Sequence, residues 1–324
     1  MRIRASLGTL VVAGLENAKV DALPTIGYVM LNSSHGCEGT CAFCPQSRIA
    51  NSSKELLSRI TWSETDLGIL ASSLAKAGIK RVCVQTVIKE NFMNETKEVV
   101  KTLHEHGLNV SVSITPVPLR YLKELRDLGT DYLGVGLDAA SPRIARAVSK
   151  PYPWNRYWEF IRDGIKVFGE GHVVTHVIVG LGETPKELLE TIERARNLGS
   201  EVSLFAFTPV RGTPMYGTRN PPSIRYYRFA QLATCLIMEG EDWRFFTVFK
   251  NGLPYIKHDY LDIMDMSRII KCVVVRGCPG CNRPFYNESP RKQMFNYPSD
   301  NAVLKNKEKL LKEIESVTIR TNTY

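Results

Sequence analysis

The 324-residue chain predicts an α/β protein built on a parallel sheet. Strand-like and helix-like segments alternate from about residue 28 to about residue 240, giving about six β/α units. The strand segments are short and apolar, as expected for strands covered on both faces. Most helix segments run directly into a glycine, a strong stop signal. The hydrophobic content of 44% suffices for one large core.

In order, residues 28–33 read as a strand that delivers a cysteine-rich loop. Residues 67–77 have helical spacing and stop at Gly78, and 81–87 read as the second strand. Residues 95–106 form a helix before Gly107, and 109–115 form a strand broken at Pro116. Residues 119–128 form a helix before Gly129, followed by a strand at 132–137 and a helix at 155–168. Residues 173–179 are a strand rich in β-branched side chains. A helix over 186–197 ends before Gly199, and the sixth strand, 202–207, ends before Pro209. From Pro221 the alternation weakens. Residues 225–239 predict a helix holding Cys235, and 245–249 a strand. Residues 260–300 are irregular, and 302–315 predict an amphipathic helix with Val303, Leu304, Leu310, Leu311 and Ile314 on one side. The expected organisation is an N-terminal segment (1–27), an α/β core (28–240) and a C-terminal segment (241–324). The alternation alone fits a curved partial barrel or a doubly wound open sheet equally well.

The net charge is +9, which favours an acidic partner: nucleic acid, an anionic cofactor or an acidic protein. No recognisable RNA-binding module accompanies it, so nucleic acid is disfavoured. No run of 18 apolar residues is present, so no membrane partner is expected. The apolar patch at 10–15 is too short, and too soon broken by Glu16 and Lys19, for a signal peptide. Six of the eight cysteines fall in two tight groups, which suits a reduced, cytoplasmic setting with metal chemistry better than a disulfide framework.

The first group carries most of the information. Cys37, Cys41 and Cys44 form C-x3-C-x2-C within His35-Gly36-Cys37-Glu38-Gly39-Thr40-Cys41-Ala42-Phe43-Cys44-Pro45. Three thiolates this close suit three irons of a [4Fe–4S] cube and leave the fourth open, whereas such clusters normally take four cysteines. A structural zinc site needs four protein ligands, and only His35 is near enough to be a fourth. No Ser-His-Asp or paired-carboxylate constellation appears.

This loop resembles the signature of the radical S-adenosylmethionine (radical SAM) enzymes. The resemblance implies a partial (β/α)6 barrel with the loop at the carboxyl ends of its strands, where α/β barrels place their active sites. It also implies that the open iron chelates the amino and carboxylate groups of S-adenosyl-L-methionine (SAM). One electron then cleaves the sulfonium, and the resulting 5′-deoxyadenosyl radical takes a hydrogen from an unactivated carbon. By the same resemblance Phe43 packs near the adenine. Asp138, ending the fourth strand in Gly134-Val135-Gly136-Leu137-Asp138, meets the ribose or amino acid part, with a helix N-cap as its competing role. Gly180, in Val179-Gly180-Leu181-Gly182-Glu183-Thr184, lets backbone approach the adenine. Thr184 before Pro185 also fits a plain helix start. Thr208 and Pro209, in Phe207-Thr208-Pro209-Val210-Arg211-Gly212-Thr213-Pro214-Met215, meet the adenine edge. Gln85 ends the second strand where the family often has Gly-Gly-Glu, and would hydrogen-bond the SAM amino group with less charge to help.

The second group, Cys272, Cys278 and Cys281, has the pattern C-x5-C-x2-C around a knuckle of Gly277, Pro279 and Gly280. It reads as an auxiliary iron–sulfur cluster, a zinc knuckle completed by His258, or ordinary buried thiols. Cys83 and Cys235 are isolated on apolar segments and read as core residues. The radical SAM resemblance favours a second [4Fe–4S] cluster, which in sulfur-inserting members is itself the sulfur source. A serine in Arg4-Ala5-Ser6 or Ser267-Arg268 is a possible completing ligand.

The whole chain resembles the biotin-synthase-related radical SAM proteins of archaea. The run Cys278-Pro279-Gly280-Cys281-Asn282-Arg283-Pro284-Phe285-Tyr286-Asn287-Glu288 looks like the pair that together act as an archaeal lipoyl synthase. The resemblance implies sulfur insertion into an octanoyl chain held on a lysine of a small lipoyl-carrier protein. Such carriers are often acidic and would be drawn to a basic enzyme. A second radical SAM protein of the same type and an electron donor are the other expected partners. Alternatives are a biotin-synthase-like reaction, an RNA methylthiolation, a zinc-bearing nucleic-acid-binding protein and a non-catalytic scaffold.

Overall fold

The computed structural model describes residues 1–288 and 293–320. The chain opens with β1 (Arg2–Ser6) and α1 (Leu7–Val12), then β2 (Gly27–Leu31) leads into the cysteine loop. Next come β3 (Leu56–Leu57), β4 (Ile60–Asp66), α2 (Leu67–Lys76), β5 (Arg81–Gln85), α3 (Phe92–Glu105), β6 (Asn109–Ile114), α4 (Leu119–Asp127) and β7 (Thr130–Asp138). They are followed by α5 (Pro142–Ala147), α6 (Trp154–Phe168), β8 (Val173–Val179), α7 (Pro185–Asn197), β9 (Glu201–Ala206) and α8 (Ile224–Glu239). The C-terminal part holds α9 (Trp243–Phe246), β10 (Thr247–Lys250), β11 (Leu253–Lys257), α10 (His258–Asp262), α11 (Met266–Val273), α12 (Asp300–Lys305), α13 (Lys307–Glu315) and β12 (Thr318–Ile319).

One nine-stranded sheet runs in the order β3-β4-β1-β2-β5-β6-β7-β8-β9. The six strands from β2 to β9 pair in parallel, and they are the six predicted from the alternation. Their order follows the sequence without reversal, so the sheet curls into a half barrel rather than a doubly wound sheet. Its outer face is covered by apolar helix stripes, such as Val99, Val100 and Leu103 of α3, all 0% exposed. Local sequence sets the helix starts. Thr184 and Glu187 form a reciprocal capping box at α7 with Pro185 at its first position. Ser141, not Asp138, caps α5.

Several elements differ from expectation. Residues 2–6 form β1, an antiparallel strand between β2 and β4. Its charged Arg4 is buried because Trp62 O accepts from Nη1 at 3.1 Å and Glu64 from Nη2 at 3.2 Å. Residues 243–246 are helical, and strand begins only at Thr247. The stretch expected to be irregular contains α11, capped by Asp265. The terminal helix is split at Asn306.

The C-terminal segment is keyed into the barrel. Arg228 of α8 is fully buried and donates to Glu313 (2.8 Å) and to the carbonyls of Met294 and Phe295. The run from Cys278 to Glu288 crosses the open side of the half barrel. The backbone N–H of Arg283 donates to Tyr28 Oη on β2 (2.8 Å), and its side chain donates to Ser203 Oγ on β9 (2.9 Å). The first and last parallel strands are thereby bridged.

Candidate active site

The three-cysteine loop sits at the carboxyl end of β2. Gly36 has a φ of +79°, and a Cβ there would lie 2.5 Å from Gln46 O, so only glycine permits the turn. The Cys37 N–H donates to Gln46 O at 2.6 Å, and Cys44 N–H to Cys41 O at 3.1 Å. Lys54 fastens the loop from beneath: its Nζ donates to the carbonyls of Pro45, Ser47 and Ala50 at 3.0, 2.8 and 3.1 Å. The backbone N–H groups of Gly39 and Ile88 point at Cys37 Sγ, at 3.3 and 3.2 Å.

Cys37, Cys41 and Cys44 are all free thiols and all line one cavity of 260 Å³. Burial pushes the Cys44 thiol up to about 12, reinforced by the neighbouring Cys41, and also raises Cys41 against the pull of Lys150. Thiols of this kind shed their protons on binding metal. Three convergent soft donors on one loop fit a [4Fe–4S] cluster with one iron left for another ligand.

Asp138 reaches the cavity through a distorted strand end. The pairing of β7 with β8 shifts register between Gly136 and Asp138, and Asp138 takes a φ of +59°. Its Oδ2 accepts from Lys150 Nζ at 2.6 Å, and Gly136 O accepts from the same ammonium at 2.7 Å. The Lys150 side chain is 5% exposed and lies 4.7 Å above the Tyr157 ring. Burial opposes its charge, but Asp138 and the Cys41 sulfur outweigh that and raise its pKa.

Of the other residues expected to meet the cofactor, Phe43, Gln85 and Thr208 line this cavity, whereas Gly180 and Pro209 stand outside the lining. Phe43 also packs against an apolar cluster that includes Leu181 and Phe207. Gln85 turns its amide inward, with Nε2 at 3.0 Å from Cys83 Sγ. Thr208 Oγ1 accepts from Asn287 Nδ2 at 3.2 Å, joining the C-terminal run to the rim. The Gly180 N–H donates to Glu183 at 2.8 Å.

His176, Lys150 and Lys54 were not legible as site residues. His176 also lines the cavity and lies 5.2 Å from the Phe205 ring. Burial, with Arg283 nearby, lowers its pKa to about 4, so it is neutral at ordinary pH. Ile88, Ile114, Ile178 and Phe205 give the same cavity apolar walls, and Tyr286 also lines it.

The second cysteine group is rearranged. Cys272 is bonded to Cys235, with a Cα–Cα distance of 5.3 Å, which removes it from the expected metal trio. The pairing joins α11 to α8, two packed helices, and it means that the cysteines are not all reduced. Cys83, expected in the core, faces the barrel interior beside Cys278 and Cys281. His258 pairs with Asp262 at 2.7 Å on α10, so the zinc knuckle of Cys272, Cys278, Cys281 and His258 does not assemble. Among the described residues, no three His, Cys, Asp or Glu side chains converge closely enough for a single metal ion.

The Radical SAM superfamily profile matches residues 31–195, just over half of the chain and the whole region from the cysteine loop to α7. The chain belongs to the Radical SAM superfamily. Radical SAM membership implies a [4Fe–4S] cluster and SAM, in agreement with the donor set at the mouth. Among curated proteins, biotin synthase of Paraburkholderia phymatum is 27% identical over 211 residues, covering 61% of this chain and 57% of that protein. Biotin synthase of Leptothrix cholodnii is 28% identical over 190 residues, covering 56% and 52%. The matched region thus spans a little over half the length of these relatives. Among solved structures, methylornithine synthase (PylB) superposes with a TM-score of 0.54 at 15% identity, covering 89% of this radical SAM chain and 80% of that one. The [FeFe]-hydrogenase maturase HydG from Carboxydothermus hydrogenoformans gives 0.53 at 17% identity, covering 88% and 66%. These two likenesses concern the fold alone. No helix among the described residues is long and apolar enough to cross a membrane.

Proposed function

We propose that the protein is a radical SAM sulfurtransferase that inserts sulfur into an unactivated C–H bond of a protein-bound octanoyl chain, as one member of a two-protein lipoyl synthase. The observation that carries this reading is the cavity itself: three free thiols on one loop line it together with the apolar side chains of Ile88, Ile114, Ile178 and Phe205. The similarity to biotin synthases supports sulfur insertion, and the C-terminal run around Cys278 and Cys281 favours the lipoyl branch.

When bound, the mouth cluster and SAM supply a 5′-deoxyadenosyl radical at the cost of one electron from a low-potential donor. The balance is then one C–H bond broken, with the hydrogen leaving as 5′-deoxyadenosine. Cys278 and Cys281 would help to hold a second iron–sulfur cluster, which would supply the sulfide for one C–S bond and accept the surplus electron. The protein's own residues bind and orient. Cys37, Cys41 and Cys44 would hold the mouth cluster, and the two N–H groups on Cys37 Sγ would temper its charge. Asp138 would accept from the ribose hydroxyls while Lys150 fixes its carboxylate in place. Phe43 and Thr208 would bound the adenine, and Gln85 would donate or accept at the amino acid end. Ile88, Ile114, Ile178 and Phe205 would exclude water from an alkyl chain, because apolar walls offer no competing hydrogen-bond partner for the reacting carbon.

The test is anaerobic incubation with SAM, dithionite and an octanoyl-lysine peptide, read by mass spectrometry. A product heavier by one sulfur atom, formed with 5′-deoxyadenosine, is the expected result. Deoxyadenosine with an unaltered peptide would remove the substrate and keep the radical SAM chemistry. Neither product would remove both.

A further inference from the structure

Tyr28, Cys83 and Ser111 stand in register on three neighbouring parallel strands. Tyr28 of β2 lies opposite Cys83 of β5, and Cys83 opposite Ser111 of β6. Side chains in register share a face of the sheet, with strands about 4.8 Å apart. Gln85 and Ser113, two residues further along that face, line the cavity, so the shared face is the barrel interior. Tyr28 Oη lies 3.5 Å from Cys281 Sγ, and Cys278 lies beside Ser111. The two knuckle cysteines are therefore neighbours of the strands on either side of Cys83. Cys83 thus stands, by register, between the strands that carry the neighbours of both knuckle cysteines, and Cys272 is held elsewhere by Cys235.

A second observation points to what belongs there. Arg283 is 8% exposed, and its Nε and Nη1 have no hydrogen-bond partner. Its guanidinium lies 3.7 Å from the Phe205 ring centre, and only Nη2 is engaged at short range, by Ser203. Among the described residues no carboxylate forms an ion pair with it, although the buried Glu288 is near enough to feel its charge. A guanidinium stays charged in proteins, and a buried unpaired charge costs several kcal/mol. Its position implies an anion that the thiols themselves would bring.

We propose that Cys83, Cys278 and Cys281, without Cys272, hold the deep iron–sulfur cluster, and that the Arg283 guanidinium balances its charge. The inference rests on the second-cluster part of the proposed function but does not need the octanoyl substrate. Tyr28, Ser111 and Gln85 would act as positioning residues around the sulfurs.

The test removes the mouth site first. The full-length protein carrying Cys37→Ala, Cys41→Ala and Cys44→Ala, reconstituted anaerobically, is expected to keep about four irons and four sulfides if the deep site is a [4Fe–4S] cluster. Adding Cys83→Ala, or the near-isosteric Cys83→Ser, is expected to bring both below one per chain, with circular dichroism unchanged. Adding Cys272→Ala is expected to leave them in place. Iron retained by both Cys83 variants, iron stripped by Cys272→Ala, zinc in place of iron, or a metal-free background would each overturn the proposal. The charge role is read separately as a midpoint potential. Arg283→Met is expected to lower it by at least a tenfold change in the redox ratio, 59 mV for one electron, while Arg283→Lys largely restores it. An unchanged potential in Arg283→Met would remove the guanidinium from the site. Loss of sulfur transfer with the iron assignment intact would remove the proposed reaction and leave the ligand set standing.

Discussion

At the scale of single residues, Lys54 shows how a loop without regular structure can be held rigid. One ammonium satisfies three carbonyls that would otherwise face one another around the cysteines. Burial lowers its pKa, opposed by the Cys44 and Cys37 sulfurs. Replacing it with methionine leaves those acceptors without a donor, and each unsatisfied buried group costs about 1–3 kcal/mol. Lys54→Met is therefore expected to bind markedly less iron at the mouth, measured in protein also lacking Cys83 so that only that site is counted. Iron content equal to that of the Lys54 parent would show that the loop holds itself. His176 makes a different prediction, about pH. It is neutral in the fold with a pKa near 4, below the ordinary value of 6.5. Between these values the unfolded chain binds the proton and the folded chain does not, so stability is present above 6.5 and is lost as pH falls toward 4. The loss is at most about 3 kcal/mol. Denaturant titrations across this window are expected to show a shallower acid limb in His176→Phe than in the parent. Parallel limbs would mean that the imidazole is protonated or solvated in the folded state.

At the scale of elements, the α8–α13 contact is the clearest place where stability depends on a charged pair. Arg228 is enclosed completely and has four acceptors, with Glu313 the only carboxylate among them. Removing one partner of such a pair strands the other charge, at about 3–5 kcal/mol. Glu313→Gln is expected to lower the denaturant midpoint clearly, and Glu313→Gln with Arg228→Met to recover part of it, since a well-packed apolar replacement avoids the unpaired cation. A double variant no better than the single one would assign the stability to the carbonyl contacts of Met294 and Phe295 instead. The same scale explains what was legible beforehand. Strand 173–179 was read with its observed bounds because β-branched residues buried on both faces leave a dense local signal. β1 was missed because Arg2 and Arg4 interrupt its apolar pattern, and the partners that bury Arg4 lie on β4. The mouth cysteines were legible because their relation is one of short spacing. Under the ligand set proposed above, Cys83 would join Cys278 and Cys281 only through strand register and a return of the chain across the barrel. Local spacing put Cys272 in its place. Lys150 and Asp138 likewise meet through a bulge that no periodicity announces.

At the scale of the whole molecule, the net charge of +9 bears on how a substrate reaches the mouth. A chain carrying that excess attracts acidic surfaces over a distance set by salt, about 10 Å at 0.1 M and about 3 Å at 1 M. Under the proposed function the octanoyl group arrives on an acidic carrier protein. Long-range attraction then acts on the carrier and not on the alkyl chain. Electrostatic complementarity changes encounter rates more than the chemical step. Raising salt from about 0.05 M to about 0.5 M, a range across which the screening length contracts severalfold, is expected to raise KM for the octanoylated carrier severalfold with kcat unchanged. An octanoyl-lysine peptide of neutral charge is expected to show no such dependence, because its affinity comes from the apolar walls of the cavity that the cysteine loop lines. Equal salt profiles for carrier and peptide would reduce the positive charge to a solvated surface. A fall in kcat for both would place the salt effect inside the barrel, at Lys150 and Asp138, where the buried ammonium and carboxylate face the cavity.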